Sequence, residues 1–144
     1  MRPLVLLLSA ALVLGATTTT VPSEAKGKPA VEWKSVSVPD GKDSDRVART
    51  LRGLLVRASR KADFGNRGGK VVVSARVVQL DWEDRGDVVR LSCTIVGRVE
   101  GGASARSRIS FGAARKDRAQ LEKQVLTMVA NGVVTRLAEI ARTR

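Results

Sequence analysis

The sequence predicts an α+β fold in the order β-α-β-β-β-α. It reads as an antiparallel three-stranded meander extended by a fourth strand, with two helices packed on one face of the sheet. Three observations lead there. A length of 144 residues holds one ordinary domain. Three successive segments between residues 70 and 112 alternate apolar and polar side chains with the period of a half-buried strand. Two segments that bracket them, 43–62 and 117–142, repeat apolar residues at helical spacing.

The chain opens with Met1-Arg2-Pro3 and an uncharged apolar run over 4–16. A membrane-spanning helix needs about 20 residues, whereas the apolar core of a secretion signal needs about 7–15. Export is therefore expected, with cleavage after Ala16 or after Ala25. Thr17 stands where a lipoprotein would carry its acylated cysteine, so no lipid anchor is expected. The domain plan is signal peptide and start of a linker over 1–25, linker and first strand over 26–38, and the remainder of one α+β domain over 39–144.

Residues 31–38 form the first strand candidate, and Pro39-Asp40-Gly41 a turn in which Pro presets φ. In the helix over 43–62, Val47, Leu51, Leu54, Leu55, Ala58 and Ala62 make one stripe, with Arg46, Arg49, Arg52, Arg57 and Arg60 mostly off it. Asp43 or Ser44 is expected to cap its start, and Gly65 its left-handed end. Gly53 in the interior costs about 1 kcal/mol against Ala, which a close helix-to-sheet contact would justify.

The strand over 70–83 changes phase. Val71, Val73 and Ala75 set one alternation, and Val78, Leu80 and Trp82 the other. Burying the second set is worth roughly 5–8 kcal/mol against about 1 kcal/mol for a lost ladder bond. A β-bulge is therefore expected, with Arg76 and Val77 together opposite Thr94. Val78 then faces Cys93, Leu80 faces Leu91, Trp82 faces Val89, Asp81 meets Arg90, and 84–87 form a four-residue turn.

The strands over 88–100 and 103–112 alternate cleanly. Val89, Leu91, Cys93, Ile95 and Val99 oppose Arg90, Ser92, Thr94 and Arg98. Ala105, Ile109 and Phe111 oppose Ser104, Arg106, Arg108 and Ser110. A three-residue loop, Glu100-Gly101-Gly102, keeps these faces matched, because a one-residue slip would invert every side chain. It pairs Val99 with Ala103, Cys93 with Ile109, Leu91 with Phe111, Val96 with Arg106, Thr94 with Arg108, and Arg98 with Ser104. The last helix has Asp117 and Gln120 at capping-box spacing and a stripe of Leu121, Val125, Met128, Val129, Val133, Leu137 and Ile140. Covering Arg98, Arg106 and Arg108 with a helix would bury unpaired cations at several kcal/mol each. The helices are therefore expected over Leu91, Ile95, Ile109 and Phe111.

Composition limits the chemistry. The chain has 26 Lys plus Arg against 14 Asp plus Glu, no His, no Tyr and one Cys. Without His there is no Ser-His or Cys-His catalysis and no His-based metal site, and one Cys forms no internal disulfide. The glycine run 65–69 is too short for a phosphate loop, Val71 replaces the hydroxyl residue, and a strand follows. Asp81, Glu83, Asp84 and Asp87 fail as a calcium loop, since Arg85 takes a ligand position and the twelfth residue is Ser92. Asp63-Phe64-Gly65 and the Ser23…Lys26 spacing lack the context of the motifs they match. Cys93 reads as a buried, inert thiol. No cofactor or metal is expected.

What remains is the polar sheet face carrying Arg98, Arg106 and Arg108. Codon usage of a GC-rich genome would also raise the Arg count, so the arrangement of these arginines matters more than their number. Planar guanidinium forks suit carboxylate and phosphate. The lack of aromatics on this face, together with export, argues against nucleic acid. The layout resembles that of small envelope-assembly domains, without a shared motif. The expected function is that of a non-enzymatic periplasmic or secreted module, contacting an anionic envelope component or an acidic protein through this face. The alternatives are a structural accessory subunit held through a sheet edge and a small hydrolase using Asp or Ser chemistry. N-terminal sequencing of protein from its native host is expected to find the mature chain beginning at or before Lys26. Intact Met1 in a cytosolic fraction would contradict export.

Overall fold

The computed structural model describes residues 27–144. The export signal and the cleavage points after Ala16 and Ala25 lie outside the described residues. The elements run β1 (Ala30–Ser37), α1 (Ser44–Lys61), β2 (Lys70–Arg85), β3 (Val88–Val99), β4 (Ser104–Ala114), a 3-10 turn (Arg115–Asp117) and α2 (Arg118–Arg142). They form one four-stranded sheet in the order β1-β2-β3-β4, with both helices on the same face. β2, β3 and β4 make the antiparallel meander, and β1 adds to its edge parallel to β2. A parallel neighbour needs a crossover connection, which α1 supplies.

The apolar stripes explain this layering. α1 buries Val47, Leu51, Leu55 and Ser59, and half-buries Leu54, Ala58 and Ala62. Ser59 is the polar exception. Its hydroxyl accepts from Trp33 Nε1 at 2.9 Å and donates to Leu55 O at 2.8 Å, tying the helix to β1 with no polar atom left over. Arg52 adds a bond from Nη2 to the Trp33 carbonyl at 2.7 Å. α2 buries a wider band than one stripe, because it meets the sheet on one side and α1 on another. Leu126, Ala130, Val134 and Ala138 join Leu121, Val125, Val129, Val133 and Leu137 in the core. Arg46 and Glu122 form a two-pronged ion pair between the helices, at 2.6 and 3.2 Å. That bond and the carboxylate charge raise the Arg46 pKa above its ordinary value.

Helix ends depart from expectation. Neither Asp43 nor Asp117 makes a side-chain cap bond, and a 3-10 turn precedes α2. α1 stops at Lys61 with Ala62 extended, so Gly65, at φ +98°, serves the following loop instead. In that loop Gly68 and Gly69 also take positive φ. Gly68 N donates to Gly27 O and Ala30 N to Gly69 O, fastening the start of β1 to the start of β2.

The β3–β4 register follows the sequence reading pair for pair, from Leu91 opposite Phe111 through Arg98 opposite Ser104. Gly101 takes the left-handed position of the loop at φ +71°. Phe111 corrects the expected core. It lies near the end of an edge strand, beyond the cover of α2, and is 41% exposed.

The β2 bulge exists but sits two residues further on. Val77 pairs with Ile95, Gln79 with Thr94, and Val78 is the extra residue. Leu80 therefore faces Cys93 and Trp82 faces Leu91, and the hairpin closes on Gly86-Asp87 rather than on four residues. Gly86, at φ +74°, supplies the turn conformation that a two-residue hairpin requires. That turn fixes the register from its own end. Val77 then stays in phase with Val73 and Ala75 at 2% exposure, and Val78 is pushed out to 39%. Leu80 and Trp82 are half-buried on the helix side. β1 has a second bulge, at Lys34, which keeps both Trp33 and Val36 on the helix side.

Gly53 does not make the close contact expected of it. It is exposed, and a Cβ placed there would meet nothing within 4 Å. The close contacts are at Gly97, where a Cβ would lie 2.8 Å from both Leu137 and Val133, and at Gly132, where it would lie 2.6 Å from Ser107 Oγ. Gly97→Ala is expected to cost about 1–3 kcal/mol through overpacking. Gly53→Ala is expected to gain about 0.5–1 kcal/mol through helix propensity and a less flexible unfolded chain. Urea midpoints of the two variants should move in opposite directions; a Gly97→Ala variant as stable as the parent would contradict the packing argument.

Candidate anion-binding face

The sheet surface away from the helices is built by the residues that alternate with the core. Its rows follow from the register. Ser74, Arg98 and Ser104 lie side by side, then Arg76, Val96 and Arg106, then Gln79, Thr94 and Arg108. Directly opposed residues on neighbouring strands have Cβ atoms about 4.5–5.5 Å apart, and successive same-face residues lie about 7 Å apart along a strand. The structure thus brings Arg98, Arg106 and Arg108 together as expected, all three exposed. It also adds Arg76, which lies across Val96 from Arg106. Among the described residues none of these four arginines forms an ion pair. Arg76 was legible from its alternation with Val73, Ala75 and Val77. Placing the bulge at Arg76 hid it.

The floor of the patch is rigid. Thr94 is fully buried although it belongs to the open face, because Gln79 and Arg108 flank it as strand partners. Its hydroxyl donates to Gln79 Oε1 at 3.2 Å. The face then changes character toward the β2–β3 hairpin. Asp81 lies opposite Ser92, not Arg90, and accepts from Gln79 Nε2 at 2.7 Å. Glu83 is the residue opposite Arg90, and Arg90 Nε donates to Ser110 Oγ at 3.1 Å. Glu83 also pairs with Arg85, and Asp84 with Arg115. The hairpin carboxylates are thus dispersed into local pairs rather than gathered around one point, and no cluster of three metal-ligating side chains occurs among the described residues.

Arg suits this surface for a further reason. The guanidinium is planar and offers a fork of donors to an oxyanion. Four such groups above a hydrogen-bonded floor form a cationic, solvent-exposed platform suited to holding anions.

Cys93 lies behind this face, in the core, with no exposure. Burial pushes its thiol up to about 11 from 9.0. The folded state therefore keeps the proton that the unfolded chain releases first, so stability is expected to fall as pH rises between about 9 and 11. Cys93→Ala should flatten this alkaline limb relative to the parent in thermal melts. An unchanged limb would contradict the burial effect.

No protein family matches the chain, and no curated protein matches its sequence. Solved structures do resemble it. A hypothetical protein from Chlamydia trachomatis superposes with a TM-score of 0.54 at 7% identity, over 82% of this chain and 100% of that one, and shares the fold. A minor lipoprotein from Acinetobacter baumannii gives a TM-score of 0.44 at 13% identity, over 78% of this chain and 94% of that one.

Proposed function

We propose that the protein is a non-enzymatic binding module of the bacterial cell envelope, exported to the periplasm or beyond, that takes an anionic envelope component on its open sheet face. The observation that carries this reading is the convergence of Arg76, Arg98, Arg106 and Arg108 on three neighbouring strands without an acidic partner among the described residues. Like charges held this close cost stability unless a counter-charge joins them. The apolar run over 4–16 supports export, and no helix among the described residues is long and apolar enough to cross a membrane. An acidic protein partner would use the same arginines. The accessory-subunit reading is favoured by the half-exposed Phe111 on the edge strand β4, whose free side could take an added strand.

Replacing Arg98, Arg106 and Arg108 by Gln tests the main reading. A cation near an anionic surface is worth about 1 kcal/mol, so the triple variant should bind anionic liposomes roughly 100-fold more weakly at low salt. Its affinity should also depend less on salt, while its melting temperature stays close to the parent's. Equal binding by parent and variant across salt concentrations would refute the reading. A stoichiometric protein complex that survives high salt would favour the sheet edge instead.

A further inference from the structure

A second basic surface lies on the helix side of the molecule, in a groove of about 720 Å3 between α1 and α2. Its α1 wall is one helix face, with Arg46, Arg49, Gly53 and Arg57 recurring at three- and four-residue steps. Lys116, Arg118 and Lys123 come from the start of α2 and the turn before it. Leu54 and Trp82 give the lining an apolar portion, and the Arg118 guanidinium stacks 3.9 Å from the centre of the Trp82 ring.

Two features of this groove have no explanation within the fold. The first is its charge. The lining contains two acids, Asp43 and Glu122, and both contact the same cation, Arg46, at 3.8 and 2.6 Å. Arg49, Arg57, Lys116, Arg118 and Lys123 make no ion pair among the described residues. Five cations around one concavity repel each other, where the same five spread over a convex surface would be solvated apart. The second feature is Gly53. Glycine is unfavourable inside a helix, and here neither a positive φ nor a tight contact calls for it. It stands on the groove wall between Arg49 and Arg57, and any side chain there would project into the concavity.

We propose that this groove is a binding site for a phosphorylated amphiphile. The phosphoryl group is held by Arg49, Arg57 and Arg118, with Lys116 and Lys123 around it, and the apolar portion lies against Trp82 and Leu54. A phosphoryl group fits better than a carboxylate, because it carries up to two charges and three acceptor oxygens, enough for several guanidinium forks at once. The groove is larger than a phosphate ion needs, and its lining is partly apolar. Gly53 keeps the wall open for the ligand, so its cost to the helix is offset by access.

The test uses the full chain and soluble dihexanoyl phosphatidic acid, followed by the fluorescence change of Trp82. Binding is expected to saturate. Dihexanoyl phosphatidylcholine, with the same tails and no net charge, should bind about tenfold more weakly or worse, and so should inorganic phosphate, which lacks the tails. Gly53→Leu should weaken phosphatidic acid binding about tenfold while melting no lower than the parent. Arg49→Gln with Arg57→Gln should weaken it similarly, and tests the site without altering the helix backbone. The Arg98, Arg106 and Arg108 triple variant should bind as the parent does, which separates this site from the sheet face. Equal affinity of the parent and both groove variants, or of the two lipids, or of inorganic phosphate and phosphatidic acid, would overturn the proposal.

Discussion

The seating of α2 on β3 and β4 is the contact on which the rest of the molecule depends. Gly97 lets Val133 and Leu137 descend onto the sheet, and Gly132 lets the helix backbone approach Ser107. Two glycines facing each other's elements bring the layers closer than any side-chain pair would permit, and close-packed interiors tolerate little error in that spacing. Once α2 is seated there, α1 takes the place beside it, against α2 and over β1, where Trp33 and Ser59 hold it. Both helices then occupy a single face, and the other face is left for polar groups. The cationic surface is thus a consequence of packing as much as of the arginines themselves.

The meander was the most legible part of the sequence, because its signals are local and redundant. Alternation in β3 and β4 and the glycine loop between them all demand one register, and the structure has it. The β2 bulge was legible in kind but not in place. Two adjacent valines allow the phase to slip on either side of Val77, and the deciding influence, closure on Gly86-Asp87, acts from eight residues away. Gly53 and Gly97 show the limit of reasoning from composition. One glycine is required by a neighbour distant in sequence and the other by no neighbour in the fold, and nothing near them in the chain distinguishes the two. The position of β1 could not be read at all, since its pairing depends on how α1 crosses the sheet.

The arginine cluster was legible for a related reason. Once the β3–β4 register is fixed, the positions of Arg98, Arg106 and Arg108 follow from it. Arg76 depended on the less certain strand and was missed with it. The open face changes in charge along its length, with unpaired cations toward the β3–β4 loop and, toward the β2–β3 hairpin, the carboxylates Asp81 and Glu83 interleaved with Arg85 and Arg90. A large anion approaching this surface is drawn to its unpaired end, which gives it a preferred orientation as well as an affinity.

β1 accompanies β2 only as far as Arg76, leaving residues 77–85 of β2 with no neighbouring strand on that side among the described residues. An uncovered stretch of backbone donors and acceptors is a template on which a second copy of the chain could stack. The bulge at Val78 falls where this exposed stretch begins. The extra residue breaks the regular ladder and increases the local twist, and Asp81, Glu83 and Asp84 follow it in close succession. A flat, neutral, apolar partner strand is what this segment is built to refuse. The same irregularity that lets Val77 stay in the core also makes this stretch a poor template for a regular added strand.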